Sequence, residues 1–127
     1  LKLLRDQGHT AQIVEKWNQW AKVRQDLFGC IDILCIQGAA LVAIQVTSGT
    51  NHAARLAKAL TSEHLAKWLA TGALFEIHSW SKRVSYKKDG SKTARGEMVL
   101  RIQQVRLNNK EQPVAMAAFN PVIPKIK

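Results

Sequence analysis

The sequence predicts one α+β domain, a mixed β-sheet flanked by helices. Three observations carry this. The 127 residues suit a single hydrophobic core. The composition, 46% hydrophobic and 22% charged, is that of a globular chain. Short β-type runs alternate with one amphipathic helical stretch, in the rough order α-β-β-β-α-β followed by a C-terminal β-hairpin.

The elements follow in chain order. Leu1–Gln7 reads as the end of a helix, with Leu1, Leu3 and Leu4 apolar and Gly8 as the stop. Thr10–Trp17 fits strand or helix. The break at Gly8-His9 and the β-branched residues favour a strand with Ala11, Ile13, Glu15 and Trp17 on one face. Asn18–Gln25 is polar and reads as a loop. Leu27–Ile36 and Leu41–Thr47 are apolar runs joined by a Gln37-Gly38 turn, the pattern of an antiparallel hairpin.

A helix capped by Thr50 or Asn51 follows, with Ala53, Leu56, Ala57 and Leu60 on its apolar side. Thr61 or Ser62 restarts it, Leu65, Trp68 and Leu69 continue the stripe, and Gly72 stops it. Ala73–Trp80 reads as a strand. Arg83–Tyr86 and Met98–Leu107 read as the two strands of the added hairpin, around a basic loop with an Asp89-Gly90 turn signal. The chain therefore divides into a single domain over residues 1–112 and an irregular C-terminal arm over residues 113–127 that carries three prolines.

The formal net charge is +10 and the isoelectric point about 10.1. Like charges repel in a compact chain, so an excess this large points to a polyanionic partner, nucleic acid first. A virion- or ribosome-associated basic protein is the plainer alternative. Nine Lys or Arg residues against Asp89 and Glu97 put +7 of the excess between Lys82 and Lys110. Lys82, Arg83, Lys87, Lys88, Lys92 and Arg95 are the expected phosphate contacts, with Tyr86 interleaved. A solvated loop and edge strand defended by lysines is the plainer account, and the local excess of +7 favours phosphate contact over it.

Cys30 and Cys35 fall on opposite faces of a single strand, cannot pair there, and read as buried thiols of a reducing compartment. No apolar run reaches the roughly 18 residues of a membrane span. Leu1 as the first residue points to a trimmed chain, and the expected location is cytoplasmic, in a bacterial or phage-infected cell.

Asp32 is the most informative residue. It lies between Ile31 and Ile33, where an unpaired carboxylate is costly. Gln45 lies likewise between Ile44 and Val46. Two oxygen-bearing side chains on neighbouring strands of one hairpin can converge on Mg²⁺, which takes few protein ligands, and Glu15 can add a third oxygen. Equally, the Asp can pair with an Arg and the Gln can satisfy a neighbouring backbone group. Asp26 either anchors the approach to Asp32 or caps a turn. His52 reads as an exposed helix-start histidine, although it is placed to touch a phosphate. Trp80 reads as half-buried packing rather than a base-stacking residue, and Trp17, Trp20 and Trp68 read as packing residues.

The stretch Asp26-Leu27-Phe28-Gly29-Cys30-Ile31-Asp32-Ile33-Leu34, a turn, and Ala43-Ile44-Gln45-Val46-Thr47-Ser48 resembles the core of the PD-(D/E)XK nucleases. Within that superfamily it is most similar to the VRR-NUC and Holliday-junction-resolvase-like branch. The resemblance runs on through Asn51-His52-Ala53-Ala54-Arg55 and spans roughly Leu1 to Trp80. It implies a restriction-endonuclease-like sheet and a metal-dependent DNA endonuclease using Mg²⁺ or Mn²⁺, with branched DNA among its substrates and a homodimer as its working form. Asp32 matches the first acid, Gln45 the second position and Glu15 the additional acid, and the Val46 carbonyl would face the ion. Thr47 stands where the family has its lysine. Threonine carries no charge and is a poor base, so Arg55 or Lys58 on the next helix would have to stand in. If neither reaches, the alternative is a catalytically inactive nuclease-fold protein that binds nucleic acid.

Overall fold

The computed structural model describes residues 1–83, 90 and 97–121. The elements are α1 (Lys2–Asp6), β1 (Thr10–Ile13), β2 (Lys16–Asn18), β3 (Val23–Gln25), β4 (Ile33–Gln37), β5 (Ala40–Ser48), a 3₁₀ turn (Gly49–Asn51), α2 (His52–Leu60), α3 (Glu63–Ala70), β6 (Leu74–Arg83), β7 (Glu97–Leu107) and β8 (Pro113–Ala115). Six strands form one mixed sheet in the order β1-β4-β5-β6-β7-β8, and β2 with β3 forms a separate two-stranded sheet. The fold is α+β, as the sequence predicts.

The β4–β5 hairpin closes on Gly38-Ala39, with Gln37 opposite Ala40. Gly38 takes φ +60° at the first central position, which a side chain would resist. β5 then pairs in parallel with β6, from Val42 opposite Leu74 to Ser48 opposite Trp80. A parallel pair needs a crossover, and α2 with α3 supplies it. The two helices are separate because Ser62 caps the second, its hydroxyl accepting from the Leu65 amide at 3.2 Å.

β5 is central and covered on both faces, which is why its sequence is nearly continuous in apolar residues. Side chains alternate across it. Ala43 joins Phe75, Ile77, Val105, Ala59, Leu65 and Leu69 in the core under α2 and α3. Val42 and Ile44 join Leu4, Ala11, Ile33 and Cys35 in a second core against α1. Cys30 belongs to the first core and Cys35 to the second, and both are free thiols.

Several local readings change. Thr10–Trp17 is two strands, because the chain leaves the main sheet at Val14 and Glu15, whose amides both donate to the Asp32 carbonyl. The polar stretch read as a loop contains β3, which pairs with β2 from Lys16↔Gln25 to Asn18↔Val23. Leu27–Ile36 is not one strand. The chain reverses at Phe28-Gly29, and β4 begins only after Asp32. The inward side of α2 is His52, Leu56, Ala59 and Leu60, while Ala53 and Ala57 face solvent. The stripe is rotated because position 52, not 53, packs on the sheet. β6 runs unbroken to Arg83 and pairs with β7 from Phe75↔Val105 to Arg83↔Glu97, so the final hairpin is β6–β7 itself. Of the separate strand expected over Arg83–Tyr86, Arg83 is the last residue of β6 and residues 84–86 lie outside the described residues. Residues 113–115, read as part of an irregular arm, form β8 against β7, and Phe119 bridges Ile102.

His52 is 2% exposed rather than a surface residue. Its Nδ1 lies 2.7 Å from the Ser79 hydroxyl and its Nε2 lies 2.8 Å from Gln103 Oε1. Gln103 Nε2 donates to the Met116 carbonyl at 2.8 Å, so its Oε1 is the acceptor and His52 Nε2 carries the proton. This chain of bonds ties α2 to β6, β7 and the segment after β8. Replacing His52 with Ala leaves Ser79 and Gln103 unpaired and opens a cavity. The urea midpoint should fall by the equivalent of about 2–4 kcal/mol, read by circular dichroism.

Candidate metal centre

The site forms where the chain enters β4. Leu27 and Ile31 bridge each other, the Leu27 amide donating to Ile31 at 2.8 Å and the Ile31 amide to Leu27 at 3.0 Å. The turn they enclose has Phe28 at φ +53° and Gly29 at φ +76°. Glycine takes this conformation freely, whereas phenylalanine is strained in it. Phe28 is held there by stacking on His64 of α3, with ring centroids 6.0 Å apart. The reversal puts Asp26 and Asp32 just outside the bridged pair, so their carboxylates meet.

Asp32 Oδ2 accepts from the Val46 amide at 2.8 Å, at the end of the β4–β5 ladder. Glu15 arrives from the break between β1 and β2, its amide directed at the Asp32 carbonyl. Its Oε1 accepts from Arg24 Nη1 of β3 at 2.6 Å. One carboxylate oxygen each from Glu15, Asp26 and Asp32 lie within 4.8 Å of one another, a group able to hold a metal ion.

Gln45 is 1% exposed on β5 and donates through Nε2 to Asp26 Oδ2 at 3.4 Å. Its Oε1 is buried and has no hydrogen-bond partner among the described residues. Amide nitrogen and oxygen are interchangeable by rotation of the group. A cation at the trio would give that oxygen a partner, so the donor set fits a hard divalent ion.

Burial is the largest influence on Asp32 and raises its pKa, and the hydrogen-bonding contact with Asp26 raises it further. The Val46 amide opposes them, while the charges of Asp26 and Glu15 add to the rise, and the result is about 7. Burial also pushes the Cys30 thiol up, with Asp26 contributing.

These groups line one cleft of about 610 Å³, bounded by Glu15, Arg24, Gln25, Asp26, Gly29, Asp32, Gln45, Val46, Arg55 and Lys58. No protein-family profile, curated protein or solved structure matches the chain. The site is therefore read from its own geometry.

Of the residues singled out in the sequence, Asp32, Gln45, Glu15, Val46, Arg55 and Lys58 meet in this cleft. Thr47 is half-buried one residue beyond Val46 and is not part of the lining. Lys82 lies with Arg101 and Asn120 at a different surface groove. The Arg83 side chain and Lys87, Lys88, Lys92 and Arg95 lie outside the described residues. Asp26 is a full member of the trio, and Arg24 is its nearest cation. Asp26 and Asp32 are equally spaced about Gly29, but their convergence depends on the reversal there.

A carboxyl group whose pKa rises on folding stabilises the fold while it is protonated. Its contribution is complete below the unfolded value of 3.8 and is lost as pH rises through about 7. The melting temperature without divalent ions should therefore fall between about pH 4 and 7. Asp32→Asn should flatten that slope and raise stability at pH 8 by about 1–2 kcal/mol. Mg²⁺ or Mn²⁺ should raise the wild-type melting temperature at pH 8 and leave Asp32→Asn unmoved. Thermal melts across pH, with and without chelator, check all three.

Proposed function

We propose that the chain is a metal-dependent DNA endonuclease of the PD-(D/E)XK type, hydrolysing phosphodiester bonds with Mg²⁺ or Mn²⁺. One observation carries this reading: three carboxylates crowd one end of a cleft whose walls also hold Arg24, Arg55 and Lys58. Acids of this kind suit a cation, and the surrounding cations suit the phosphate that would accompany it.

Asp32, Asp26 and Glu15 would hold the ion, with Gln45 Oε1 as an additional oxygen. The bound metal would lower the pKa of a coordinated water and stabilise the leaving oxygen. The rest is the work of this chain's own groups. The Val46 amide fixes the rotamer of Asp32 by holding Oδ2. Arg24 fixes Glu15. Arg55 and Lys58, one turn apart on α2, present positive charge to the cleft and form no ion pair among the described residues. They are free to bind a phosphate oxygen and to offset charge that develops there, the task that Thr47 cannot perform. Branched DNA such as a Holliday junction is the substrate expected from the branch resemblance, and paired cuts across a junction would call for a dimer.

The second reading is a nuclease-fold module that binds DNA without cutting it, favoured by the threonine at position 47. Incubation with duplex, single-stranded and branched DNA separates the two. On the endonuclease reading, cleavage requires Mg²⁺ or Mn²⁺. Asp32→Ala lowers it by at least about a hundredfold, and Arg55→Ala or Lys58→Ala by roughly tenfold to a hundredfold. Binding with no metal-dependent cleavage would leave the binding module as the answer.

A further inference from the structure

The small β2–β3 sheet lines the acidic cleft only through Arg24 and Gln25, yet it carries the most exposed aromatic groups in the described chain. Trp20 is 90% exposed and Trp17 is 57% exposed, against the expectation that both are packing residues. They line a second cleft of about 430 Å³ with Lys16, Asn18, Gln19 and Gln25. Two indoles in water on a ten-residue hairpin do nothing for the core.

Three observations indicate what the hairpin meets. Gln25 lines both clefts, so the aromatic groove adjoins the acidic one. Trp17 stands directly opposite Arg24 in the β2–β3 register, and Arg24 is the residue that holds Glu15. Residues 16–25 contain Lys16, Lys22 and Arg24 and no acid, so the aromatic surface sits in positive charge. The turn is preorganised as well: Asn18 Oδ1 accepts from the Trp20 and Ala21 amides at 3.0 Å each, and Lys22 takes φ +52°.

From this we infer that the β2–β3 hairpin is a stacking platform for unpaired nucleobases, and that the substrate reaches the acidic cleft as a strand with bases splayed out of the duplex. The inference rests on the reading that the acidic cleft takes a phosphodiester. Paired bases in a duplex are closed to stacking on Trp17 or Trp20. In single-stranded, flapped or junction DNA, exposed base faces can lie on the indoles while the phosphate backbone runs past Lys16 and Arg24 toward the trio. Base-on-indole stacking is tolerant of sequence, because every base has an aromatic face. The amide groups of Gln19 and Gln25 are placed to meet base edges at the same groove.

The test uses the whole chain with 12-nucleotide single-stranded and duplex oligonucleotides, in Ca²⁺ so that binding is read without turnover. Tryptophan fluorescence should be quenched by the single strand. The double variant Trp17→Ala/Trp20→Ala should lose most of that quenching, and its single-strand affinity should fall roughly fivefold to a hundredfold. Its duplex affinity should change less than twofold, and Trp17→Phe/Trp20→Phe should restore single-strand binding. Unchanged single-strand affinity in the alanine variant, with circular dichroism showing it folded, overturns the inference. So does a variant whose only change is loss of self-association in sedimentation, which would make the hairpin a protein contact. The two readings fail separately. Stacking without Mg²⁺-dependent cleavage sinks the nuclease and leaves the platform, whereas cleavage undiminished in the alanine variant sinks the platform and leaves the nuclease.

Discussion

At the point where the chain joins β4, the Val46 amide donates to the carboxylate of Asp32 at 2.8 Å rather than to a strand carbonyl. The Asp32 amide meanwhile donates to Ile44 at 2.9 Å, and its carbonyl receives Val14 and Glu15. One residue therefore joins β5, the end of β1 and the start of β4. A buried carboxylate is tolerated here because its hydrogen bonds complete the end of a sheet. The remaining oxygen is left facing the cleft with Asp26 and Glu15. Loss of Asp32 would release the ladder end and remove one of the three carboxylates together, which is why asparagine, keeping shape and an acceptor, is the more informative replacement.

The electrostatics of the cleft oppose those of the chain around it. The protein carries +10 overall, yet three acids crowd within 4.8 Å at its centre. Burial first, and the neighbouring Asp26 and Glu15 after it, raise the Asp32 pKa to about 7, and a proton at low pH relieves both. A divalent ion at neutral pH would relieve them in the same way, because both changes remove the net negative charge of the same three groups. The surrounding arginines and lysine do not neutralise the trio directly, apart from Arg24 on Glu15. They remain available to an incoming anion.

The other buried polar groups are resolved within the chain. His52 is saturated by Ser79 and Gln103. Glu76 is bonded by His78 and by Gln104, each at 2.9 Å. Burial pushes the Glu76 carboxyl up, but those hydrogen bonds outweigh it and hold the group below its ordinary value. Against this background the unpartnered Oε1 of Gln45 stands out among the described residues, on a side chain whose Nε2 donates to Asp26. Buried polar groups are normally hydrogen-bonded, so an acceptor left open is an exception that calls for an explanation.

The fold class, the β4–β5 hairpin, the helical stretch after it and the neighbouring places of Asp32 and Gln45 on that hairpin are determined by the sequence itself. They rest on local periodicity, turn chemistry and the oddity of polar residues within apolar runs. Asp26 and the two exposed tryptophans were decided only in three dimensions. A reversal at Phe28-Gly29 looks locally like a continuous apolar strand, and it becomes a turn because bridging Leu27 to Ile31 lets Cys30 and Ile31 enter the core under α3. Trp17 and Trp20 look like core residues by composition. They are exposed because β2 leaves the main sheet at Glu15, and no third element covers the hairpin among the described residues. Residue type and spacing specify what each segment can form. Which carboxylates converge, and which aromatics are left in water, depends on contacts between segments that are distant along the chain.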